Sequence, residues 1–366
     1  MRNIFKAKAQ STTPKKKKSK AREWVDAIVF AVVVSTVIRG LLFSAYAIPS
    51  ASMEGTQMTG DYLFVSKLSY GPRMPMTPLS IPFLESHVTS ANIKTYSSLI
   101  KLPYFRLPGL GEVKKGDIVV FNYPGGTPTD PVDMRVHYIK RCVATAGDVM
   151  QIVDSKVIVN GKVLANAPKA QTSWQVSTDG TGLNPQLLED LEVQVIGQVG
   201  ERDYIMIIPA DALSELKNIS SIKSIKPVIE PKGMADASVY PQSPLFKWNQ
   251  DNYGPLTIPK RDWEITLNDS TAALYSRAIT LFEGNTLKKE GADYYINNKK
   301  ATTYKFKMNY YWMMGDNRHN SEDSRYWGFV PEDHVVGKPM FTFMSIDSTK
   351  SFFSKVRWNR VLRGIN

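Results

Sequence analysis

The longest apolar stretch of the chain lies close to its N-terminus. Residues 27–38 (AIVFAVVVSTVI) are apolar apart from two hydroxyl residues, and after Arg39 the apolar character continues up to Pro49. A helix over residues 27–48 would measure about 33 Å at about 1.5 Å per residue, which is enough to cross a hydrocarbon core of about 30 Å. Because Arg39 lies near the far end, its long side chain can reach the headgroups. The pattern therefore predicts a membrane-spanning helix.

Beyond residue 49 the pattern changes to short runs of β-branched and aromatic residues separated by turn residues. Such runs are typical of strands in antiparallel sheets. Strands are expected at 62–65, 117–122, 137–143, 149–153, 157–159, 193–199 and 204–208. Asn160-Gly161 indicates a type I′ hairpin after the fifth run, and residues 294–299 repeat that pattern late in the chain.

Two helices are predicted to interrupt these strands. The first covers about 210–222 and the second about 270–283. In the second, Ser270 or Thr271 would cap the N-terminus and Gly284 would end the helix.

The chain is therefore predicted to be mainly β, with an antiparallel β-sheet domain, loop and strand insertions, a few short helices and one N-terminal transmembrane helix. Segments 71–112 and 225–260 are rich in Pro, Ser and Gly and are predicted to be loops or insertions. We expect four parts, which are a basic tail (1–23), a transmembrane anchor (24–48), a β core (49–148 and 310–366) and an inserted β-rich subdomain with helices (149–309).

The charge of the chain is concentrated at its N-terminus. The formal net charge is +12, but nine of the 46 basic residues lie within the first 22 residues, which contain no acidic residue. The remainder is nearly neutral, so the charge gives no reason to expect a nucleic-acid partner. By the positive-inside rule, the basic tail lies in the cytoplasm and everything after Pro49 lies outside.

A cleavable secretory signal is the alternative to an anchor, because Ala45-Tyr46-Ala47 has the form of a cleavage site. Such a signal would need 47 residues here, whereas signal peptides usually have about 15–30. A buried core helix is a second alternative, but it does not explain a polybasic flank on one side only. We favour the uncleaved anchor, and the body is exported in either case.

Few residues are suited to binding a metal. Cys142 is the only cysteine, which excludes an intramolecular disulfide and a cysteine-cluster zinc site. The four histidines lack the His-Glu-x-x-His spacing of zinc peptidases. We therefore expect neither a metal nor a cofactor.

A serine hydrolase with this sequence would need an unusual base. The chain has no Gly-x-Ser-x-Gly elbow and too few histidines for an obvious Ser-His-Asp set. A lysine can act as the base when burial lowers its pKa enough for a neutral amine to exist. Lys140 is suited to this because it lies in the β-type run 137–143, where alternation directs Arg141 to the opposite face. From the residues alone, a solvated surface lysine is an equally good interpretation.

Three stretches behind the predicted anchor carry a family resemblance. They are IPSASM at 48–53 with GDYLFV at 60–65, KGDIVVF at 115–121 with YIKR at 138–141 and GD at 147–148, and MMGDNRHNSEDSRYWG at 313–328. In this order they closely resemble type I signal peptidases (leader peptidases), which are membrane-bound serine endopeptidases. The resemblance covers about 49–71, 113–148 and 310–338 in addition to the anchor, and the third stretch is the most specific.

The resemblance implies roles for particular residues. Ser52 would be the nucleophile and Lys140 the general base, and Ser321 would hydrogen-bond and orient the lysine amine. Ser50 and the Ser52 backbone N–H would donate to the oxyanion. The residues implied to support the site are Asp316, Arg318, Asp323 and Arg325, which suggest a salt-bridge network, and Met313 and Met314, which are expected to line the apolar wall near Lys140.

The implied substrates are preproteins, which would lose an N-terminal signal peptide after small residues at positions −3 and −1. An extended substrate would lie between two segments by strand addition, and the substrate-binding residues would be Tyr46, Ile48, Pro49, Tyr138 and Ile139. The implied location is the bacterial cytoplasmic membrane, crossed once, with the catalytic domain on the outer face and the lipid bilayer as a second partner. Near the C-terminus, Phe352, Phe353 and Trp358 lie among basic residues, so both an interfacial role and a role in the core stay open.

Two departures from the family pattern stand near the implied site. Gly55-Thr56-Gln57 replaces the common Pro-Thr-Leu, and His319 occupies a position that is commonly Asp. Two other functions stay as alternatives. One is a catalytically inactive membrane-anchored paralogue that binds exported chains, and the other is a cytoplasmic self-cleaving Ser-Lys repressor, which the span and the lack of a DNA-binding helix pair disfavour.

Overall fold

The computed structural model describes residues 19–81, 84, 86–88, 93–125, 130–351 and 354–365. Within them the protein is mainly β, with antiparallel sheets and few helices, as the sequence predicts. The helices are α1 (Lys20–Leu41), α2 (Pro185–Asp190), α3 (Leu213–Leu216), α4 (Asp269–Arg277) and α5 (Ser324–Trp327). The predicted interfacial residues Phe352 and Phe353 lie outside the described residues.

The strands of the first half are β1 (Phe43–Ala47), β2 (Asp61–Ser66), β3 (His87–Val88), β4 (Ile93–Lys94), β5 (Ile118–Asn122), β6 (His137–Ala144), β7 (Val149–Val153), β8 (Lys156–Val159), β9 (Lys162–Val163) and β10 (Gln171–Thr178). Those of the second half are β11 (Gln194–Val199), β12 (Asp203–Pro209), β13 (Ile222–Pro227), β14 (Tyr253–Thr257), β15 (Glu264–Thr266), β16 (Leu287–Glu290), β17 (Asp293–Ile296), β18 (Lys299–Ala301), β19 (Thr303–Lys305), β20 (Tyr310–Met314), β21 (Val330–Pro331), β22 (Val335–Ser345) and β23 (Arg363–Gly364). Each predicted strand therefore exists, with no end shifted by more than about one residue.

The apolar N-terminal stretch forms a helix followed directly by a strand. Helix α1 has 22 residues, none of them buried, and β1 begins two residues after its end and pairs with β2 over its whole length. The prediction of one helix through residue 48 is therefore wrong beyond Leu41. Two side chains donate to backbone carbonyls of the last turn of α1. Lys67 Nζ donates to Gly40 O at 3.0 Å, and Ser44 Oγ donates to Arg39 O at 3.0 Å.

The largest sheet has the strand order β1-β2-β22-β5-β6-β20-β21, with β23 also on β22. Strand β1 is an edge strand, yet the rings of Tyr46 and His137 lie 4.7 Å apart, so the sheet curls and brings β1 close to β6. Strand β20 pairs with β6 only from Arg141 onward. Among the described residues, the outer edge of β1 and the facing edge of the first half of β6 are therefore both free of strand partners, and we call the region between them the cleft.

Two apolar cores divide the predicted insertion at 149–309. Strands β7, β8 and β14 and helix α4 pack in the same core as Trp312 and Phe329. The sheet β11-β12-β10-β13, which spans residues 171–227, has a separate core around Val176, Met206 and Leu216. Only this second part of the insertion has a core of its own.

The predicted hairpins are confirmed. Asn160 and Gly161 have φ values of 50° and 77°, and Asn297 and Asn298 have 51° and 63°, as a type I′ turn requires.

The helices are predicted less well. Helix α4 is capped by Asn268, not by Ser270 or Thr271, and it ends in a π-helical turn over Ala278–Phe282. The helix predicted at 210–222 is reduced to Leu213–Leu216, because Ile222 already belongs to β13 and pairs with β10.

Candidate active site

The residues after β1 form the turn that carries Ser52. Ile48 extends the pairing with β2, because its N–H donates to Asp61 O at 2.8 Å and its carbonyl accepts from Gly60 N at 2.9 Å. A single 3-10 turn over Ala51–Met53 follows, and Ser52 is buried within it. The end of an edge strand thus delivers a buried hydroxyl to the cleft.

Lys140 lies on β6 and meets Ser52 across the cleft. Its Nζ is 2.7 Å from Ser52 Oγ and 3.1 Å from Ile139 O, and only 3% of the residue is exposed. Burial lowers the pKa of Lys140 to about 8, although the negative charges of Asp323, Glu322 and Asp316 oppose the shift. A substantial fraction of the amine is therefore neutral just above neutral pH, and a neutral amine can accept the proton of the serine hydroxyl.

The two other serines expected at the site differ in their contacts. Ser50 Oγ lies 3.4 Å from Ser52 Oγ. Ser321 Oγ is buried and has no hydrogen-bond partner among the described residues, so the predicted hydrogen bond to Lys140 is not formed in this structure. Ser321 nevertheless lies beside the Ser52 turn. Gly315 separates the two, and a β-carbon at this position would collide with both Ser321 Oγ and Ser52 O.

Asp316 is held by residues outside its own loop. Arg141 donates to its carboxylate through Nε and Nη2, both at 2.8 Å, and Thr56 Oγ1 donates at 2.6 Å. Arg141 therefore points away from Lys140, as the alternation of β6 predicts, and ties β6 to the loop after β20. The ion-pair partner of Asp316 is thus Arg141, which lies outside the four residues of the expected network.

Asp323 and Arg325 form the predicted ion pair. Arg325 donates to Asp323 through Nε at 2.9 Å and Nη2 at 2.8 Å, and Gly315 N donates to the same carboxylate at 3.1 Å. Burial would raise the pKa of Asp323, but the Arg325 charge and the hydrogen bonds outweigh it and hold this pKa below its usual value. Arg318 forms no ion pair in the described part of the chain, and its Nη1 lies 3.9 Å from Met314 Sδ.

The two methionines face opposite sides of β20. Met313 pairs with Cys142 and packs with Tyr138 and Trp327, on the face of β6 that Lys140 shares. Met314 pairs with Arg141 and packs in the other core. The expectation that both line the lysine pocket is therefore wrong for Met314.

Three of the predicted substrate-binding residues share one apolar cluster at the cleft. Tyr46, Ile48 and Ile139 pack with Leu63 and Val120. Alternation places Tyr138 on the face of Lys140, whose Nζ lies 5.3 Å from the Tyr138 ring centroid. Pro49, the fifth residue, is exposed beside the cleft.

The sequence reasoning missed Asn317 as a contact of the Ser52 turn. Its backbone N–H donates to Ser52 O at 3.1 Å and its Nδ2 to Ala51 O at 3.3 Å. The residue was visible in the third stretch, but no spacing linked it to position 52.

The departures from the family pattern have distinct surroundings. His319 Nδ1 accepts from Ser173 N at 2.8 Å, and Nε2 therefore carries the hydrogen that it donates to Asp251 at 2.9 Å. The histidine thus links the loop to β10 and to the segment before β14. Gln57 is fully buried, and neither polar atom of its amide has a partner among the described residues, which makes it a costly replacement for an apolar residue.

The described part of the chain has no set of side chains that could bind a metal ion together. No group of three or more His, Cys, Asp or Glu residues lies there in an arrangement that could hold a metal ion.

Comparisons with known proteins indicate one family. A family model described as "Signal peptidase, peptidase S26" matches residues 21–210 and 257–344, which leaves out 211–256. A protein named "Signal peptidase I" from Buchnera aphidicola subsp. Baizongia pistaciae is 23% identical over 322 residues, which cover 86% of this chain and 74% of the relative. One of the same name from Pseudomonas fluorescens is 23% identical over 87% of this chain and 69% of its own length. Another from Rickettsia canadensis is 31% identical over 163 residues, 44% of this chain and 51% of the relative.

Proposed function

The chain belongs to the signal peptidase family, peptidase S26, and from this membership we propose that it removes N-terminal signal peptides from exported preproteins. Within that activity, we assign the nucleophile to Ser52 and the general base to Lys140. The observation that carries the assignment is the 2.7 Å contact between Ser52 Oγ and a buried Lys140 Nζ.

In the proposed acylation step, Lys140 accepts the proton of Ser52 as its oxygen attacks the carbonyl carbon of residue −1. The tetrahedral intermediate places negative charge on the former carbonyl oxygen. Donors aimed at that oxygen stabilise the transition state, and the Ser50 hydroxyl and the Ser52 N–H are the proposed donors. The protonated Lys140 then gives its proton to the leaving amine, and the mature protein departs.

In the proposed deacylation step, the neutral Lys140 activates a water molecule that attacks the ester on Ser52. The loop from Gly315 to Arg325 stiffens this arrangement through the Asp323–Arg325 pair and the Asp316–Arg141 pair. We assign Ser321 to orienting the amine during turnover, when its unpaired hydroxyl acquires a partner.

The cleft is proposed to bind the substrate as an added strand. Ile48 directs its N–H and carbonyl to β2, so the neighbouring Ala47 directs its own to the outer edge. In an extended peptide, the side chains at −1 and −3 point the same way. Apolar walls formed by Ile48, Tyr46 and Ile139 would leave room there for small side chains only, which supports the Ala-x-Ala preference.

We also propose that α1 anchors the enzyme in the membrane, with the body on the outer side. The helix has 22 residues, is apolar over most of its length and has no buried residue. At about 1.5 Å per residue it measures about 33 Å. The basic residues that orient it by the positive-inside rule lie mostly before residue 19, outside the described residues.

The test is incubation of the purified full chain with a purified preprotein, followed by mass spectrometry of both new ends. We expect one cut, after a small residue that has a second small residue two positions before it. Replacing either small residue of the preprotein by Phe should greatly reduce the cut. Binding without any cut would instead support the inactive paralogue, and a Ser52→Ala preparation controls for contaminating peptidases.

A further inference from the structure

A cavity of about 250 Å³ lies where α1 meets the large sheet. Its lining includes Arg39 at the end of α1, Tyr46 on β1, and Lys67 and Arg73 from the segment after β2. Pockets for drug-sized ligands usually have about 300–1,000 Å³. The cavity is therefore suited to a small polar group.

Positive charge dominates this cavity. Arg73 binds two neutral acceptors, Asp333 O at 2.6 Å and Asn122 Oδ1 at 2.7 Å. Lys67 donates to a backbone carbonyl of α1. Among the described residues that line the cavity, Asp133 is the single carboxylate, against the three cations Arg39, Lys67 and Arg73.

The carboxylates near the cavity already have partners of their own. Asp133 accepts from the backbone N–H groups of Met76 and Thr77 and from the Thr77 hydroxyl, each at 2.8 Å. The Asp333 side chain pairs with His334 at 2.6 Å. Burial, with the charges of Arg73 and Arg39, lowers the pKa of Lys67 to about 8, as expected for a buried amine beside other positive charges.

We propose that this cavity binds the phosphate of an anionic phospholipid. The inference goes beyond the proposed peptidase activity and rests on the proposed anchoring, which sets the end of α1 at the membrane surface. Basic pockets beside membrane helices are suited to such headgroups. The exposed side chains of Met74, Ile81 and Leu84 also line the cavity, and they would contact the apolar part of a lipid but have no use for free phosphate.

The test uses the full chain purified in a neutral detergent, so that lipid binding is measured separately from cleavage. Native mass spectrometry measures the lipid retained from mixed micelles that contain phosphatidylglycerol or phosphatidylcholine with the same acyl chains. We expect one phosphatidylglycerol to be retained in preference to phosphatidylcholine, and Lys67→Gln to weaken this retention about fivefold. Lys156→Gln removes the same charge at an exposed position of β8 and should leave retention unchanged. Arg39→Gln repeats the test if Lys67→Gln fails to fold.

Equal retention of the two lipids, or equal effects of the Lys67 and Lys156 variants, would overturn the proposal. Displacement of the lipid by millimolar inorganic phosphate would overturn it in favour of a free-phosphate site. Displacement by a peptide with acidic residues before its cleavage site would overturn it in favour of a substrate site. If the full chain retains phosphatidylglycerol as expected but does not cleave a preprotein, the result contradicts the proposed function and supports the lipid site.

Discussion

Lys140 lies in a buried environment that destabilises the positive charge of its side chain. A lysine in water has a pKa near 10.4 and is almost wholly protonated at neutral pH, but burial on β6 lowers that pKa to about 8. Its three acidic neighbours reverse only part of the shift, because Asp323 and Asp316 are themselves paired with arginines. The free-energy cost of burying the amine is thus what makes it a usable base.

Removing either member of the Ser52–Lys140 pair should abolish cleavage. Ser52→Ala and Lys140→Ala should each lower kcat/KM to background. When two groups act as a catalytic unit, removing either one costs nearly the whole rate enhancement of the pair. The measurement is preprotein cleavage, with thermal unfolding to verify the fold. Near-normal activity in either variant would contradict the assignment.

The pH dependence of kcat/KM should report the lysine. In the proposed mechanism the neutral amine is the active form, so activity should rise with pH through a limb near the Lys140 pKa of about 8 and fall in acid. The limb should keep its position in His137→Ala and His319→Ala. A limb near 6.5 that disappears in one of these variants would assign the base to a histidine.

Ser321→Ala should separate catalysis from stability. The Ser321 hydroxyl is buried without a partner among the described residues, so removing it should leave the unfolding temperature unchanged or raise it. If the hydroxyl aims the amine during turnover, kcat should fall while KM changes little. Unchanged kcat would show that Ser321 has no positioning role.

At this scale the sequence predicted residues through a motif and missed those whose roles depend on folding. Ser52 and Lys140 come from stretches 88 positions apart, and the structure brings them into contact. Arg141 and Asn317 have partners far along the chain, at Asp316 and at Ala51 and Ser52. No local spacing indicates such pairs, because each depends on how β6 and the later loop pack against the Ser52 turn.

At the scale of elements, the loop after β20 depends on buried ion pairs. Breaking such a pair leaves an uncompensated charge in the interior and typically costs about 3–5 kcal/mol. Asp323 and Arg325 are almost fully buried, whereas the Asp293–Lys300 pair is exposed on the small sheet of β16–β18. The two pairs should therefore differ greatly in their contribution to stability.

Asp323→Ala should lower the free energy of unfolding by about 3–5 kcal/mol, and Asp293→Ala should change it far less. Urea unfolding followed by tryptophan fluorescence measures both. The pKa of Asp323 is held below its usual value in the folded state. Its contribution should therefore be complete above the unfolded pKa near 3.9 and be lost as the pH falls through the folded value. Equal losses in the two variants would contradict this account.

Element boundaries were predictable where one period dominates the pattern. Strands with clear alternation and hairpins with Asn-Gly or Asn-Asn turns appear within one or two residues of their predicted positions. The apolar run after Arg39 fits a helix and a buried strand equally well, and its pairing with β2 decides in favour of the strand. Likewise, Ile222–Pro227 forms a strand because β10 offers it an edge.

At the scale of the whole molecule, the insertion is divided between two cores. Strands β7 and β14 share the core of Trp312, whereas the sheet around β10 has a core of its own. The family model leaves out residues 211–256, which lie within the predicted insertion. Sequence pattern could not reveal the division, because both parts combine strands with short helices.

Chelators should have no effect on the whole enzyme. The proposed chemistry needs only a serine and a lysine, and we expect no metal. Preprotein cleavage after dialysis against EDTA should match the untreated rate, with a zinc peptidase as the positive control. Loss of activity that Zn²⁺ restores would count against the mechanism.

The direct junction between α1 and β1 has one more consequence under the proposed function. Leu42 alone separates the two elements, and the eight residues from Phe43 to Ser50 extend at most about 26 Å at about 3.3 Å per residue. Ser52 follows two residues later, so its distance from the end of the anchor has an upper limit set by this segment. A preprotein must span the same distance with the polar segment between its own apolar helix and its cleavage site. Under the proposed function, the enzyme therefore selects preproteins by the length of this polar segment as well as by the side chains at the cleavage site.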